Sequence, residues 1–119
     1  MLNQYETVFI LNPVLSEDQI KEAVDKYRNL LTEKGAEIVF ENSWGMKKFS
    51  YPIKKKNSGY YYLIEFKAEG TVIADLELAY KRDEEVLRFL SFRLDKYAIA
   101  YNEKKRAPKT EQKVMEPQA

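Results

Sequence analysis

The spacing of apolar residues along this chain switches back and forth between a repeat of two and a repeat near 3.6, and no other feature restricts its fold so tightly. From Tyr5 to Leu11, the residues Tyr5, Thr7, Phe9 and Leu11 alternate with Glu6, Val8 and Ile10, as in a strand, and Asn12-Pro13 then stops the run. Ser16-Glu17-Asp18-Gln19 reads as a helix N-cap with a capping-box glutamine three residues on. Ile20, Val24, Tyr27 and Leu31, flanked by Ala23 and Leu30, form one helical stripe, and Gly35 is placed to close the helix. Ala36 to Tyr51 is a long strand in which Ile38, Phe40, Trp44 and Met46 share one parity and Phe49 and Tyr51 the other. That phase switch predicts a bulge or bend near Gly45. Pro52 has no N–H to give to a ladder, so this strand belongs at a sheet edge. Asn57-Ser58-Gly59 reads as a turn, Tyr60 to Lys67 as a strand, Thr71 to Arg82 as a second helix and Val86 to Asp95 as a last strand.

The order β-α-β-β-α-β, with two right-handed crossovers joined by a hairpin, predicts an α+β sandwich of the ferredoxin-like kind. Its four-stranded antiparallel sheet would run in the order 4-1-3-2 with both helices on one face. The 119 residues suit one domain over 1–102. The remainder, 103–119, is polar and twice broken by proline, and is expected to be a flexible tail.

Composition narrows the chemistry. Cysteine and histidine are both absent, which removes thiolate nucleophiles, disulfides, the commonest general base and the usual transition-metal ligands. No metal site, cofactor or small-molecule substrate is expected. No apolar run approaches the roughly 20 residues of a membrane helix, and the opening MLNQYE lacks the marks of a signal peptide, so a reducing cytoplasmic setting is expected. Net charge is only +1, yet five lysines and no acid lie between Gly45 and Gly59. The charge is polarised along the chain, and distribution matters more than the sum.

A sheet covered on one face should alternate apolar-in and polar-out. The last strand does not: Leu87 and Phe89 hold one parity, while Val86, Arg88, Leu90, Phe92 and Leu94 hold the other. The third strand likewise sets Tyr60, Tyr62, Ile64 and Phe66 against Tyr61 and Leu63. The helix-free face therefore mixes aromatics and aliphatics with cations. One explanation is that the chain's own tail or a neighbouring loop covers it; the other is an RNA or protein surface, where cations neutralise phosphates and rings stack on unpaired bases. Any single lysine of the hairpin could equally be a solvated guard against edge-to-edge pairing.

Val8-Phe9-Ile10-Leu11-Asn12 resembles the first-strand motif of RNA recognition motif domains, which share this topology. The third-strand motif fits poorly, because Ser58-Gly59-Tyr60-Tyr61-Tyr62-Leu63-Ile64-Glu65 lacks the basic start, the small residue and the final aromatic. Parity also sends Phe9 toward the helices rather than toward RNA. A stand-alone single-strand RNA binder of that type, with Tyr60 and Tyr62 in the stacking role, is thus the alternative. The loop Asn12-Pro13-Val14-Leu15 carries neither glycine nor arginine, so the anion cradle that acylphosphatases build on a similar fold is missing, and no enzyme is expected.

A longer motif points elsewhere. Trp44-Gly45-Met46-Lys47-Lys48-Phe49-Ser50-Tyr51-Pro52-Ile53-Lys54-Lys55, followed by Gly59-Tyr60-Tyr61, resembles the central motif of the bacterial small-subunit ribosomal protein S-six family. Tyr5-Glu6, Asn12-Pro13 and Arg82-Asp83 before Val86 agree with it, and the resemblance spans about Met1 to Tyr97. It implies a structural role on the ribosome, binding the central domain of 16S ribosomal RNA together with small-subunit ribosomal protein eighteen. Carried over to matching positions, Lys47, Lys48, Lys54, Arg82, Arg88 and Arg93 become candidates for phosphate contact, and Lys55 and Lys56 complete the basic set. Trp44, Tyr51, Tyr60, Tyr62 and Phe92 are the candidates for the partner-protein surface, with a core role placed ahead of a partner role for Trp44. Tyr51, Pro52 and Ile53 resemble a rigid edge that keeps the hairpin in register. The tail departs from family members that end in an acidic, glutamate-elongated segment: from Glu103 on it holds five basic residues against three acidic.

Overall fold

The computed structural model describes residues 2–102 and 104. The order of elements is β1 (Asn3–Leu11), α1 (Glu17–Glu33), β2 (Glu37–Ile53), β3 (Lys56–Ala68), α2 (Gly70–Arg82) and β4 (Val86–Arg93). All pairings are antiparallel, in the sheet order β2-β3-β1-β4, which is the expected order read from the opposite edge. β2 is an edge strand, so the missing amide of Pro52 disturbs no second neighbour. The expected tail lies outside the described residues apart from Lys104.

The ends of α1 follow from its sequence. The Ser16 side chain accepts from the Gln19 amide (3.2 Å) and Gln19 Oε1 accepts from the Ser16 amide (2.9 Å), completing the capping box. At the other end Gly35 takes φ +89°, its amide donates to the Thr32 carbonyl and the Ala36 amide donates to the Leu31 carbonyl. That pair of bonds is a Schellman closure, which needs a residue at ease with positive φ.

Side chains from α1, α2 and the sheet meet around an aromatic knot. The Phe9 ring lies 5.2 Å from Tyr27, 5.3 Å from Tyr80 and 5.8 Å from Tyr62, so three rings surround one fully buried phenylalanine. The buried hydroxyls have partners. Tyr80 Oη is 3.0 Å from Thr7 Oγ1, which in turn is 2.9 Å from Ser91 Oγ. Tyr27 donates to Asp83 at 2.5 Å, and burial followed by that carboxylate holds its phenol well above the ordinary tyrosine range.

The sequence reading needs three corrections. The turn between β2 and β3 is Lys54-Lys55, both at positive φ (51° and 67°), with Ile53 opposite Lys56; Asn57, Ser58 and Gly59 lie inside β3. Two adjacent left-handed residues make a two-residue primed turn, which matches strand twist but costs about 1–2 kcal/mol per non-glycine residue. Second, β4 ends at Arg93, and helical backbone runs over 96–102 (α3) and at 104. Asp95 caps it, because its Oδ1 accepts from the Ala98 amide (2.7 Å) and its carbonyl from the Ile99 amide (3.0 Å). Third, a register shift opposite Ile10 and Leu11 lets Val86 enter the core, whereas Leu90 and Phe92, although of the same parity, point to the other face.

Candidate nucleic-acid interface

The helix-free face of the sheet is ordered in rows, because residues paired across antiparallel strands point to the same side. The first row runs Gly45, Tyr61, Ile10, Arg88 from β2 to β4; the second runs Asn42, Leu63, Val8, Leu90; the third runs Phe40, Glu65, Glu6, Phe92. Beyond these, Glu37, Lys67 and Gln4 form a polar end. Along each strand successive rows lie roughly 7 Å apart, two residues of rise. The face thus grades from basic and aromatic, through apolar, to acidic.

The polar end is closed by the chain itself. Glu65 is buried, and it accepts from Gln4 Nε2 and, at 3.4 Å, from Asn102 of α3. Ala98, Ile99 and Asn102 of α3 are half-buried. The cover at this end comes from α3, which precedes the expected tail; the tail itself lies outside the described residues apart from Lys104. Trp44, Leu90 and Phe92 stay exposed, at 42, 60 and 41%.

The basic end is built by the β2–β3 hairpin. A register shift between Ser43 and Gly45, with Gly45 at φ +79°, leaves Trp44 outside the ladder. Its ring stacks on Tyr61 at 6.1 Å and 21°, so the structure corrects the expected core role: Trp44 lies on the surface. A second irregularity sets Phe49, Ser50, Tyr51 and Pro52 against Asn57 alone, between the pairs Lys48–Ser58 and Ile53–Lys56. The arm bends there, and Lys54 Nζ reaches the Val86 carbonyl at 3.4 Å on the far strand. Gly59 makes the bend fit, since a Cβ there would meet Ile10 and would lie 2.8 Å from Phe49 Cζ. Between arm and sheet is an open cleft of about 560 Å³ lined by Lys48, Phe49, Tyr51, Pro52, Tyr61 and Arg88.

The structure brings together only some of the sequence-predicted cations. Lys47, Lys48, Lys54 and Lys55 are exposed on the arm, and Lys56 is half-buried at its base. Arg88 faces the arm across the cleft, and Arg82 is exposed in the last turn of α2, four residues before Val86. Arg93 stands apart: it pairs with Tyr5 at the other end of β4 and on the helix side, five residues or roughly 17 Å from Arg88. Among the described residues none of these cations is salt-bridged to a carboxylate; the ion pairs there involve Lys26, Arg28 and Lys34.

Tyr60 and Tyr62 do not share a face with Trp44 and Phe92. They pack on the helix side and line a second cleft, of about 470 Å³, with Ile20, Val24 and Arg28 of α1. Tyr62 donates to Glu41 at 2.6 Å, and the Arg28 guanidinium grips the same carboxylate at 2.8 and 2.6 Å. Those Arg28 bonds hold the Glu41 carboxyl below its usual range, while burial and then Glu41 push the Tyr62 phenol up to about 12. Tyr62 is thus tied to α1 through Glu41, Tyr60 bonds to Ser43 of β2, and both rings lie on the helix side, away from the helix-free face on which a recognition motif stacks bases. Tyr61 and Phe49 line the cleft and Leu90 lies on the helix-free face, although the sequence reading does not place them among its site candidates. Cross-strand parity around the Trp44 bulge was the signal that could have found them.

Comparison with known proteins agrees with this architecture. The family described as ribosomal protein S6 matches residues 4–93. The small ribosomal subunit protein bS6 of Bacteroides fragilis is 59% identical over 112 residues, covering 94% of this chain and 98% of that relative, and its counterpart in Phocaeicola vulgatus is 58% identical over the same span. The crystal structure of 30S ribosomal protein S6 from Thermotoga maritima superposes with a TM-score of 0.79 at 30% identity, covering 90% of this chain and 99% of that one. With fold, central motif and full-length relatives in agreement, the chain belongs to the ribosomal protein S6 family.

Proposed function

We propose that the chain is a non-catalytic component of the small ribosomal subunit, in the cytoplasm, that binds the central domain of 16S ribosomal RNA jointly with small-subunit ribosomal protein eighteen. The observation that carries this reading is the cluster of cations on the hairpin arm and at Arg88, which have no carboxylate partner among the described residues. Unpaired cations held close together lower the potential energy of a phosphate chain and release its counterions. Lys47, Lys48, Lys54, Lys55, Lys56, Arg82 and Arg88 supply that end, and Arg93 a separate contact. The exposed Trp44, Leu90 and Phe92 form the adjoining apolar ground for the protein partner, with water release as its driving force. Phosphate contacts of this kind give affinity and register with little base readout.

The test is the affinity of the protein pair for a central-domain RNA junction across a salt series of about 50 to 200 mM. Each neutralised phosphate contributes about 0.7–0.9 to the log–log slope. Replacing Lys47, Lys48 and Lys54 together by glutamate should flatten that slope by about two to three. A slope near zero in the unmodified protein, or no change in the triple variant, overturns the reading.

A further inference from the structure

We infer that the cleft beneath the hairpin arm receives one unpaired nucleotide, its base stacked on Tyr51 with Tyr61 in the cleft wall and its flanking phosphates held by Lys48 and Arg88. The inference rests on the reading that the chain binds RNA, and adds to it a base-contacting site. Four features carry it. The cleft, about 560 Å³, falls within the roughly 300–1,000 Å³ typical of small-ligand sites, and its lining contains two cations, three aromatic rings and no carboxylate. A phosphate alone would need only the cations, so the rings call for something planar.

Tyr51 is 81% exposed, with none of the ring contacts that bind the other cleft aromatics to one another. Water does not favour a ring held in that state, and a base has the π-face to cover it. The platform is also preformed. Pro52 restricts Tyr51 to extended backbone, and Tyr61 is held on a central strand between Trp44 at 6.1 Å and Phe49 at 6.2 Å. Ordering costs on binding are therefore small. Finally, Tyr61 and Arg88 both pair with Ile10, so they stand two strand spacings apart in one row, roughly 10 Å, which suits a base and its neighbouring phosphate.

Single-stranded hexa-adenylate, the same hexamer with abasic ribose at every position, and a duplex of equal charge are the probes. Emission from Trp44, the single tryptophan, reports entry because its ring stacks on Tyr61. The base-bearing strand should bind about fivefold to a hundredfold more tightly than the abasic strand and should change Trp44 emission, whereas the duplex should not. Tyr51→Ala should abolish the preference and leave abasic affinity unchanged, Tyr51→Phe should keep it, and Arg88→Gln should weaken both strands. Equal binding of base-bearing and abasic strands with a steep salt slope overturns the nucleotide site while leaving phosphate binding intact. Absence of binding to all three probes overturns the nucleotide site, and the salt series on the protein pair then decides phosphate binding separately. If Tyr51→Ala keeps the base preference but loses the protein partner, the cleft belongs to protein recognition and the inference fails.

Discussion

Gly59 shows how much one absent side chain permits. It lies inside β3, where a strand interior ordinarily disfavours glycine, and no left-handed backbone requires it. Its reason is contact: a methyl group would press on Ile10 and on the Phe49 ring, and the Leu11 carbonyl is 3.2 Å away. Ile10 and Leu11 belong to a central strand and cannot retreat, so Phe49 must swing out and take the arm with it. Gly59→Ala is expected to destabilise the protein by about 1–3 kcal/mol, the usual range for overpacking. A lower urea midpoint together with altered Trp44 emission would show it; unchanged emission would mean that the arm does not depend on this contact.

At the level of elements, the β2–β3 hairpin sets backbone preference against charge. A two-residue primed turn is easiest with Asn-Gly, yet Lys54-Lys55 occupies it. Exchanging both for Asn-Gly should raise stability by about 1–2 kcal/mol by relieving two left-handed lysines. The same change should weaken RNA binding, since Lys54 and Lys55 would no longer reach phosphate. Paired measurements of urea unfolding and RNA affinity check this: gain in one and loss in the other is the expected outcome, and movement together would refute it. The hairpin also marks where sequence legibility ended. The helices α1 and α2, the caps of α1, the sheet order and the bulge near Gly45 are readable because periodicity, capping residues and Pro52 act locally. The turn was misplaced because Asn57-Ser58-Gly59 carries a strong turn composition, while its glycine answers a packing demand from β1 that no local pattern reveals. The part played by Tyr62 depends on the Arg28–Glu41–Tyr62 network, which spans three elements, and α3 escapes because its Asp95 cap reads as the end of a strand.

Across the whole molecule, two carboxylates join the helical layer to the rest. Glu41 of β2 is held by Arg28 of α1 and by Tyr62 of β3, and Asp83 at the end of α2 accepts from Tyr27 and Lys26 of α1. Burial alone would raise the Asp83 carboxyl, but bonds from Tyr27, the Glu85 amide and Lys26 together hold it below the usual range, as Arg28 does for Glu41. A depressed native pKa means that the unfolded chain binds more protons as acid is added. The stabilisation is therefore complete above the ordinary carboxyl pKa near 4 and is lost as pH falls through the lower native values. The urea midpoint should fall as pH drops below about 4, and the fall should be shallower in Asp83→Asn, which is already weakened at neutral pH. A variant whose acid profile runs parallel to the unmodified protein would rule out Asp83 as a contributor.

The extra residue at Trp44 and the three surplus residues opposite Asn57 have a bearing on how such a chain can change over generations. In a pleated ribbon each added or removed residue exchanges the two sides for everything beyond it. Substituting one lysine of the arm dims a single contact, whereas deleting one paired residue between Gly45 and Lys48 would exchange the sides taken by the residues beyond it and turn Lys48 away from Arg88. The tally of residues in that stretch is accordingly a stricter inheritance than their identities.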